Sequence, residues 1–392
     1  MIRESISRKK IVFFILLISL CCSSCSTQNN MDKSTMAVSN KVYENGSSEK
    51  VVIPAIKSAD PTVVSSPTPA VELVTYKGTI QHIFFHPLIA YTERAFDNDS
   101  MSKGYNDWMV TVKEFKKILE SLYKKDFILV AYRDVYETKN ENGKIVLAKK
   151  ELKLPAGKKP LIVSIDDLNY YDYMLENGNV YKLVLDENGD VATYSVAPDG
   201  KEIISMDNEI VPILDTFVEQ HNNFSFNGAK GIIASTGYEG ILGYRTNKLD
   251  SLDYEKEKSE ALKVVKRLKE TGWTFACHGY GHLDDVKVSR ERFERDTERW
   301  KKEVETLVGP TQIYIYPYGS AFSHKDPRLK YLLNNGFNIL CSVGIDDYLE
   351  KYEDCALIDR KNIDGYSFRH HSEKLKDLFD VNEVIDSARP AQ

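Results

Sequence analysis

The chain has 392 residues, 28% of them charged, and a formal net charge of −6. Arg3, Arg8, Lys9 and Lys10 against Glu4 give +3 over the first 24 residues, which leaves −9 on the remainder; that acidic balance speaks against nucleic acid or an anionic lipid surface as partner. Of six cysteines only Cys277, Cys341 and Cys355 lie beyond residue 25, so a disulfide framework is excluded and one bridge at most could form.

The basic start is followed by an apolar run over residues 11–20, too short for a comfortable membrane span and placed at the extreme terminus. That is the pattern of an export signal. Cys21, Cys22 and Cys25 come directly after it, and residues 1–25 resemble a bacterial lipoprotein signal in which a cysteine is lipidated. Only Cys25 is preceded by small residues, Ser23 and Ser24. The expectation is a lipoprotein tethered to the cell membrane and facing outward, with ordinary secretion as the alternative. Residues 26–75, rich in Ser, Thr, Asn, Pro and Val, lack the large apolar groups needed for a core and read as a disordered tether.

Residues 76–392 are long enough for one large domain. Seven short β-rich runs punctuate it: Thr79–Phe85, Phe127–Ala131, Leu161–Ile165, Gly231–Ser235, Trp273–Cys277, Gln312–Tyr316 and Asn338–Val343. Several are almost continuously apolar, as strands of a parallel sheet buried on both faces must be. Helical patterns lie between them. Thr111-Val-Lys-Glu114 is a capping box ahead of a stripe of Val112, Phe115, Ile118, Leu119 and Leu122. Residues 257–271, 289–308 and the segment opened by Asp326-Pro327 repeat that logic, stopped by Gly272, Gly309-Pro310 and Gly336. The alternation predicts an α/β barrel of seven strands. Two stretches interrupt it, one around Glu141-Asn-Gly143 and one over residues 176–208 with turns at Glu187-Asn-Gly189 and Asp199-Gly200; both read as antiparallel insertions on the rim.

Active sites of α/β barrels lie at the C-terminal ends of their strands. His86 follows the first predicted strand, Asp166 and Asp167 the third, His278 and His282 the fifth, Tyr316-Pro-Tyr-Gly319 the sixth, and Asp346 and Asp347 the last. Three of the eight histidines thus fall on strand ends. A carboxylate and two imidazoles four residues apart make an N/O ligand set for one divalent metal, and a second carboxylate beside them suits a base that deprotonates water. Taken alone, Asp166-Asp167 is as readily a turn or cap, and each histidine a hydrogen-bonded core residue.

The ordered set Ser-Ile-Asp166-Asp167, His278-x-x-x-His282 and Tyr-Pro-Tyr318-Gly resembles the polysaccharide deacetylase family, also known as the NodB homology domain or carbohydrate esterase family 4. The resemblance runs from about Thr79 to Gly344. It implies a distorted (β/α)7 barrel and metal-dependent removal of N-acetyl groups from an N-acetylglucosamine polymer such as peptidoglycan, chitin or an exopolysaccharide. It makes Asp166 the general base, Asp167, His278 and His282 the metal ligands, and the backbone N–H of Tyr318 part of an oxyanion hole. Zn is the first expectation for the metal, with Co, Ni, Mn or Fe as alternatives.

This chain departs from the family pattern at Leu168, where glycine is usual, and at Ile315-Tyr316, where an arginine that orients the base is usual. The late Leu-x-x-His motif that supplies the acid is absent as well. His86 in Ile83-Phe-Phe-His86-Pro87 resembles the acid of circularly permuted members and is taken as the acid, ahead of His370 and His371. His82 is placed on the opposite side of its strand, in core or on surface. Arg360 is one candidate for the missing arginine. Tyr170, Tyr171, Tyr280, Tyr316 and Trp108 are weaker candidates for stacking on sugar rings, and Asp346 and Asp347 read as turn caps. A monomer is expected. The alternatives are an inactive carbohydrate-binding relative and a metal-dependent amidase acting on a small C–N substrate.

Overall fold

The apolar runs assemble into one closed parallel barrel in the computed structural model, which describes residues 72–390. In chain order its strands are β1 (Gln81–Phe85), β2 (Lys159–Asp166), β3 (Ile232–Ser235), β4 (Thr274–Cys277), β5 (Ile313–Ile315), β6 (Ile339–Val343) and β7 (Ala356–Asn362). Around the barrel β3 to β7 follow one another, β7 pairs β1, β1 pairs β2, and β2 returns to β3. The fold is the expected (β/α)7 barrel, but one of its strands is not among the seven read from the sequence. Phe127–Leu129 pairs only with the first residues of β2, from Phe127 opposite Lys159 to Leu129 opposite Leu161. Farther along, that same edge of β2 belongs to β3, from Ile232 opposite Ser164 to Ala234 opposite Asp166. The run therefore flanks the barrel, and Ala356–Asn362 closes it.

Period-two alternation divides the strand side chains between two cores. Leu161, Val163 and Ile165 of β2 face the helices, with Ile83, Phe85, Ile233 and Leu340. Ile162, Ile232, Ala234, Ala276, Ile313, Ile315, Ile339, Cys341 and Ala356 fill the barrel interior. Residues 162, 164 and 166 share one face, so the same alternation that buries Ile162 directs Asp166 inward. The outer helices are built as their sequences require. Thr111 and Glu114 close a reciprocal capping box at the start of Val112–Lys124, worth about 1 kcal/mol. Phe115, Ile118, Leu119 and Leu122 are its buried face. Tyr254–Glu270, Arg290–Trp300 and Pro327–Asn334 follow β3, β4 and β5.

Both interruptions are antiparallel. Tyr136–Glu141 pairs with Lys144–Lys149, and Lys182–Leu185, Val191–Val196 and Glu202–Ser205 form a three-stranded sheet. Leu73–Thr75, assigned above to the tether, instead pairs with Lys153–Pro155. The export signal, the three early cysteines and the rest of the tether lie outside the described residues. Cys277, Cys341 and Cys355 are buried thiols without disulfides. Among the described residues no helix is long and apolar enough to cross a membrane.

Candidate metal centre

Consecutive residues of an extended strand point to opposite faces, so two adjacent carboxylates reach one site only if the backbone turns between them. Here Asp167 adopts φ 60°, a left-handed conformation that aspartate tolerates better than most residues. Its N–H donates to the Ala234 carbonyl at 3.2 Å, fixing the turn against β3. His282 (φ 49°) and Tyr318 (φ 57°) share this unusual backbone. Three residues of the candidate site thus carry the local strain that functional sites concentrate.

Asp167, His278 and His282 are brought together with one ligand atom each, all within 4.8 Å of one another. His282 Nε2 lies 3.5 Å from Asp167 Oδ2, and His278 Nε2 4.0 Å from Oδ1. His278 Nδ1 is 2.8 Å from the Ile315 carbonyl, which can only accept, so Nδ1 carries the proton and the Nε2 lone pair faces Asp167. Tyr171 donates its hydroxyl to Asp167 Oδ1, fixing the carboxylate as well. Burial would raise the Asp167 pKa, but the facing imidazoles of His282 and His278 outweigh it and hold the carboxyl below its ordinary range. Burial also lowers the pKa of His282, favouring the neutral imidazole that coordinates. Two imidazoles and one carboxylate, with His278 Nδ1 and Asp167 Oδ1 already hydrogen-bonded, fit a divalent cation. The loop between the histidines is anchored from outside: the N–H groups of Tyr280 and Gly281 donate to Asp296 at 2.6 and 2.9 Å.

Asp166 sits beside this triad, Oδ2 3.9 Å from His278 Nε2. Arg360 of β7 holds it in a bidentate fork, with Nη1 2.7 Å from Oδ1 and Nη2 2.8 Å from Oδ2. The guanidinium is fully buried, lies over the Phe84 ring, and donates also to Ser164 and to the Ser342 carbonyl. Burial pushes the Asp166 pKa up, yet Arg360 and then His278 overcome that and keep the carboxylate ionised far below its usual range. The arginine absent near Ile315 is thus supplied two strands later.

His82 does not face away from the site. It shares parity with residues 84 and 86, lies inside the barrel, and bridges the Tyr132 hydroxyl (2.8 Å) and the Ser164 hydroxyl (2.9 Å). His86 sits at the end of β1 with Nδ1 3.0 Å from the Trp108 carbonyl, so Nδ1 donates and Nε2 is the nitrogen left for the site. Its charge is among those lowering the pKa of both Asp166 and Asp167. His370 and His371 lie instead at the end of helix Gly365–His370, against the ring of Tyr366, which stacks on Trp108. Tyr318 occupies the Pro317–Gly319 turn, its ring 4.6 Å from that of His282. Glycine is required next, because Gly319 is left-handed and an added Cβ would stand 2.6 Å from Val343 Cβ.

Four of the aromatic candidates are not available to a ligand: Tyr170, Tyr171, Tyr280 and Tyr316 are buried. The rings that reach solvent near Asp167 are Tyr173, Tyr238 and Tyr318, each 36–41% exposed. Tyr171 lies sandwiched between Tyr173 and Tyr238, with centroids 5.9 and 4.8 Å away. Tyr173 falls two residues after Tyr171 and Tyr238 three after β3, positions where only tertiary packing decides which ring is exposed. Asp346 and Asp347 pair with Lys374 and Lys361 and take no part in the centre.

Residues 248–339 match the family model for polysaccharide deacetylase, a segment that includes both histidines and the Pro-Tyr-Gly turn but neither Asp166 nor Asp167. No curated protein matches the chain. Among solved structures, a Bacillus anthracis protein assigned as a polysaccharide deacetylase is 12% identical at a TM-score of 0.41, covering 74% of this chain. This chain spans 66% of that protein, just under two thirds of its length. The Streptococcus pyogenes deacetylase PplD, solved with acetate, is also 12% identical, at a TM-score of 0.42, with 75% of this chain and 94% of that one covered.

Proposed function

We propose that this chain, which resembles the polysaccharide deacetylases over residues 248–339, is a metal-dependent hydrolase that removes N-acetyl groups from an N-acetylglucosamine-containing polysaccharide of the cell surface. The observation that carries the proposal is the convergence of Asp167, His278 and His282 beside an arginine-clamped Asp166. Asp167, His278 and His282 would hold the cation, Zn²⁺ in the first instance, and such an ion acidifies water and polarises an acyl oxygen. Asp166, held ionised by Arg360, takes a proton from the attacking water as its oxygen bonds to the acetyl carbon. The backbone N–H of Tyr318 donates to the oxyanion that forms. When the C–N bond breaks, His86 Nε2 gives a proton to the leaving amine, with Nδ1 kept in place by the Trp108 carbonyl. The products are acetate and a free amino sugar. Tyr173, Tyr238 and Tyr318 offer ring faces to the pyranose units. The signal-like residues 1–25 and the segment after them support export and a lipid anchor, so that the barrel works on the outer face of the membrane.

Acetate release from N-acetylglucosamine oligomers tests this. Native protein releases acetate, chelation stops it, Zn²⁺ restores it, and Asp166→Asn abolishes it while retaining the metal. Oligosaccharide binding with no release by the metal-loaded native protein would establish the carbohydrate-binding alternative instead.

A further inference from the structure

His324, Asp354 and Cys355 form a second cluster that shares no residue with the centre at Asp167. One ligand atom from each lies within 4.8 Å of the other two. They come from two separate segments. His324 precedes helix Pro327–Asn334, whereas Asp354 and Cys355 form the turn between the short strand Leu349–Lys351 and β7. His324 Nε2 stands 3.3 Å from Asp354 Oδ1. The imidazole lies flat on the ring of Tyr352, with centroids 3.7 Å apart and planes within 6°, so its orientation is set before any ligand arrives. The turn is closed by the Tyr352 N–H donating to the Cys355 carbonyl at 2.8 Å, and the Cys355 thiol is buried and not in a disulfide.

We propose that His324, Asp354 and Cys355 bind a second divalent cation of the Zn²⁺ class, which ties the segment after the Pro-Tyr-Gly turn to the start of β7. The donor types decide the class: a thiolate with an imidazole and a carboxylate suits Zn²⁺ or Co²⁺, and disfavours Mg²⁺ and Ca²⁺, which want oxygen alone. Three protein donors leave a fourth position to water. Coordination converts the Cys355 thiol to thiolate and releases its proton to solvent, so binding weakens as the pH falls. Burial, and then Asp354, hold that thiol up to about 12 without a cation. Since β7 carries Arg360, the cation would brace the strand that clamps Asp166.

The full-length protein, stripped with chelator and kept reduced, is titrated with Co²⁺ while absorbance and bound metal are followed. The expected result is two equivalents per chain and a near-ultraviolet thiolate-to-cobalt charge-transfer band. Cys355→Ser loses the band and one equivalent, and His324→Gln weakens the band. His278→Ala loses one equivalent and keeps the band, which separates this site from the one at Asp167. A band with a single equivalent would support the second site and count against the first. Native protein without the band, or a band that survives in Cys355→Ser, overturns the inference and leaves an ordinary His–Asp ion pair beside a buried thiol.

Discussion

Replacing Arg360 by methionine removes the positive partner of a buried carboxylate. Both side chains are buried, at 0% and 5% exposure, and their two parallel hydrogen bonds are 2.7 and 2.8 Å long. Removing one member of such a pair strands the other, at a cost of about 3–5 kcal/mol. At a few degrees per kcal/mol, Arg360→Met should melt on the order of 10 °C below native at pH 7. The sign of the pH dependence follows from the direction of the Asp166 shift. Its folded pKa is depressed, so the stabilisation is fully present above the unfolded value near 4 and fades as the pH falls through the folded value. The gap between native and Arg360→Met should therefore narrow in acid. Urea melts at pH 7 and pH 3.5 of the native chain, Arg360→Met, Asp166→Asn and the double variant give the assay. The double variant should fall short of the summed single losses by about 2–3 kcal/mol, since the two groups are in contact. An Arg360→Met variant within about 1 kcal/mol of native at pH 7, or a strictly additive double variant, refutes the clamp.

His278→Ala should abolish metal retention measured by elemental analysis at the Asp167 centre, and full retention there would remove His278 as a ligand. His86→Ala should lower turnover and leave the metal bound; unchanged turnover takes His86 out of the mechanism. Tyr171→Phe, which deletes the hydroxyl that orients Asp167, should weaken metal affinity by about 10–100-fold in competition titrations, and an unaltered affinity would show that orientation to be immaterial. Glu209 is buried, accepts from the Leu88 and Ile210 N–H groups and the Tyr170 hydroxyl, and is pushed up to about 7 by burial. A raised carboxyl pKa stabilises the fold at low pH and loses that contribution as the pH rises from about 4.5 to about 7. At 1.36 kcal/mol per unit, native protein should lose about 3 kcal/mol relative to Glu209→Gln over that window. Parallel pH–stability curves for the two proteins would show that Glu209 does not titrate there.

The site was legible where one local pattern carries the chemistry. Asp166-Asp167 and His278-x-x-x-His282 each follow an apolar strand, and the barrel rule brings strand ends together whatever their order in the chain. Arg360 could be named as a candidate partner but not placed, because Ala356–Asn362 mixes apolar with charged residues and does not read as a buried strand. Arg360 shares its face with Ala356 and Ile358 and points into the barrel, where Asp166 satisfies the guanidinium, whereas Asp359 and Lys361 lie on the opposite face. Phe127–Leu129 failed in the opposite sense. Its residues are apolar and buried, but apolarity cannot say which edge of β2 remains for β3. His82 was misread by parity, since four residues from His86 is the same face of a strand. The exposed aromatics escaped because adjacent tyrosines at 170, 171 and 173 look alike until the turn after Asp167 buries two and leaves the third at the surface.

Anomalous diffraction at the zinc edge, from crystals of the native protein equilibrated with Zn²⁺, locates the cation and its ligands. A peak about 2 Å from Asp167 Oδ, His278 Nε2 and His282 Nε2, with Asp166 beside it and not ligated, is the predicted result. Zinc absent from these three side chains, or bound there through Asp166 in place of Asp167, would contradict it.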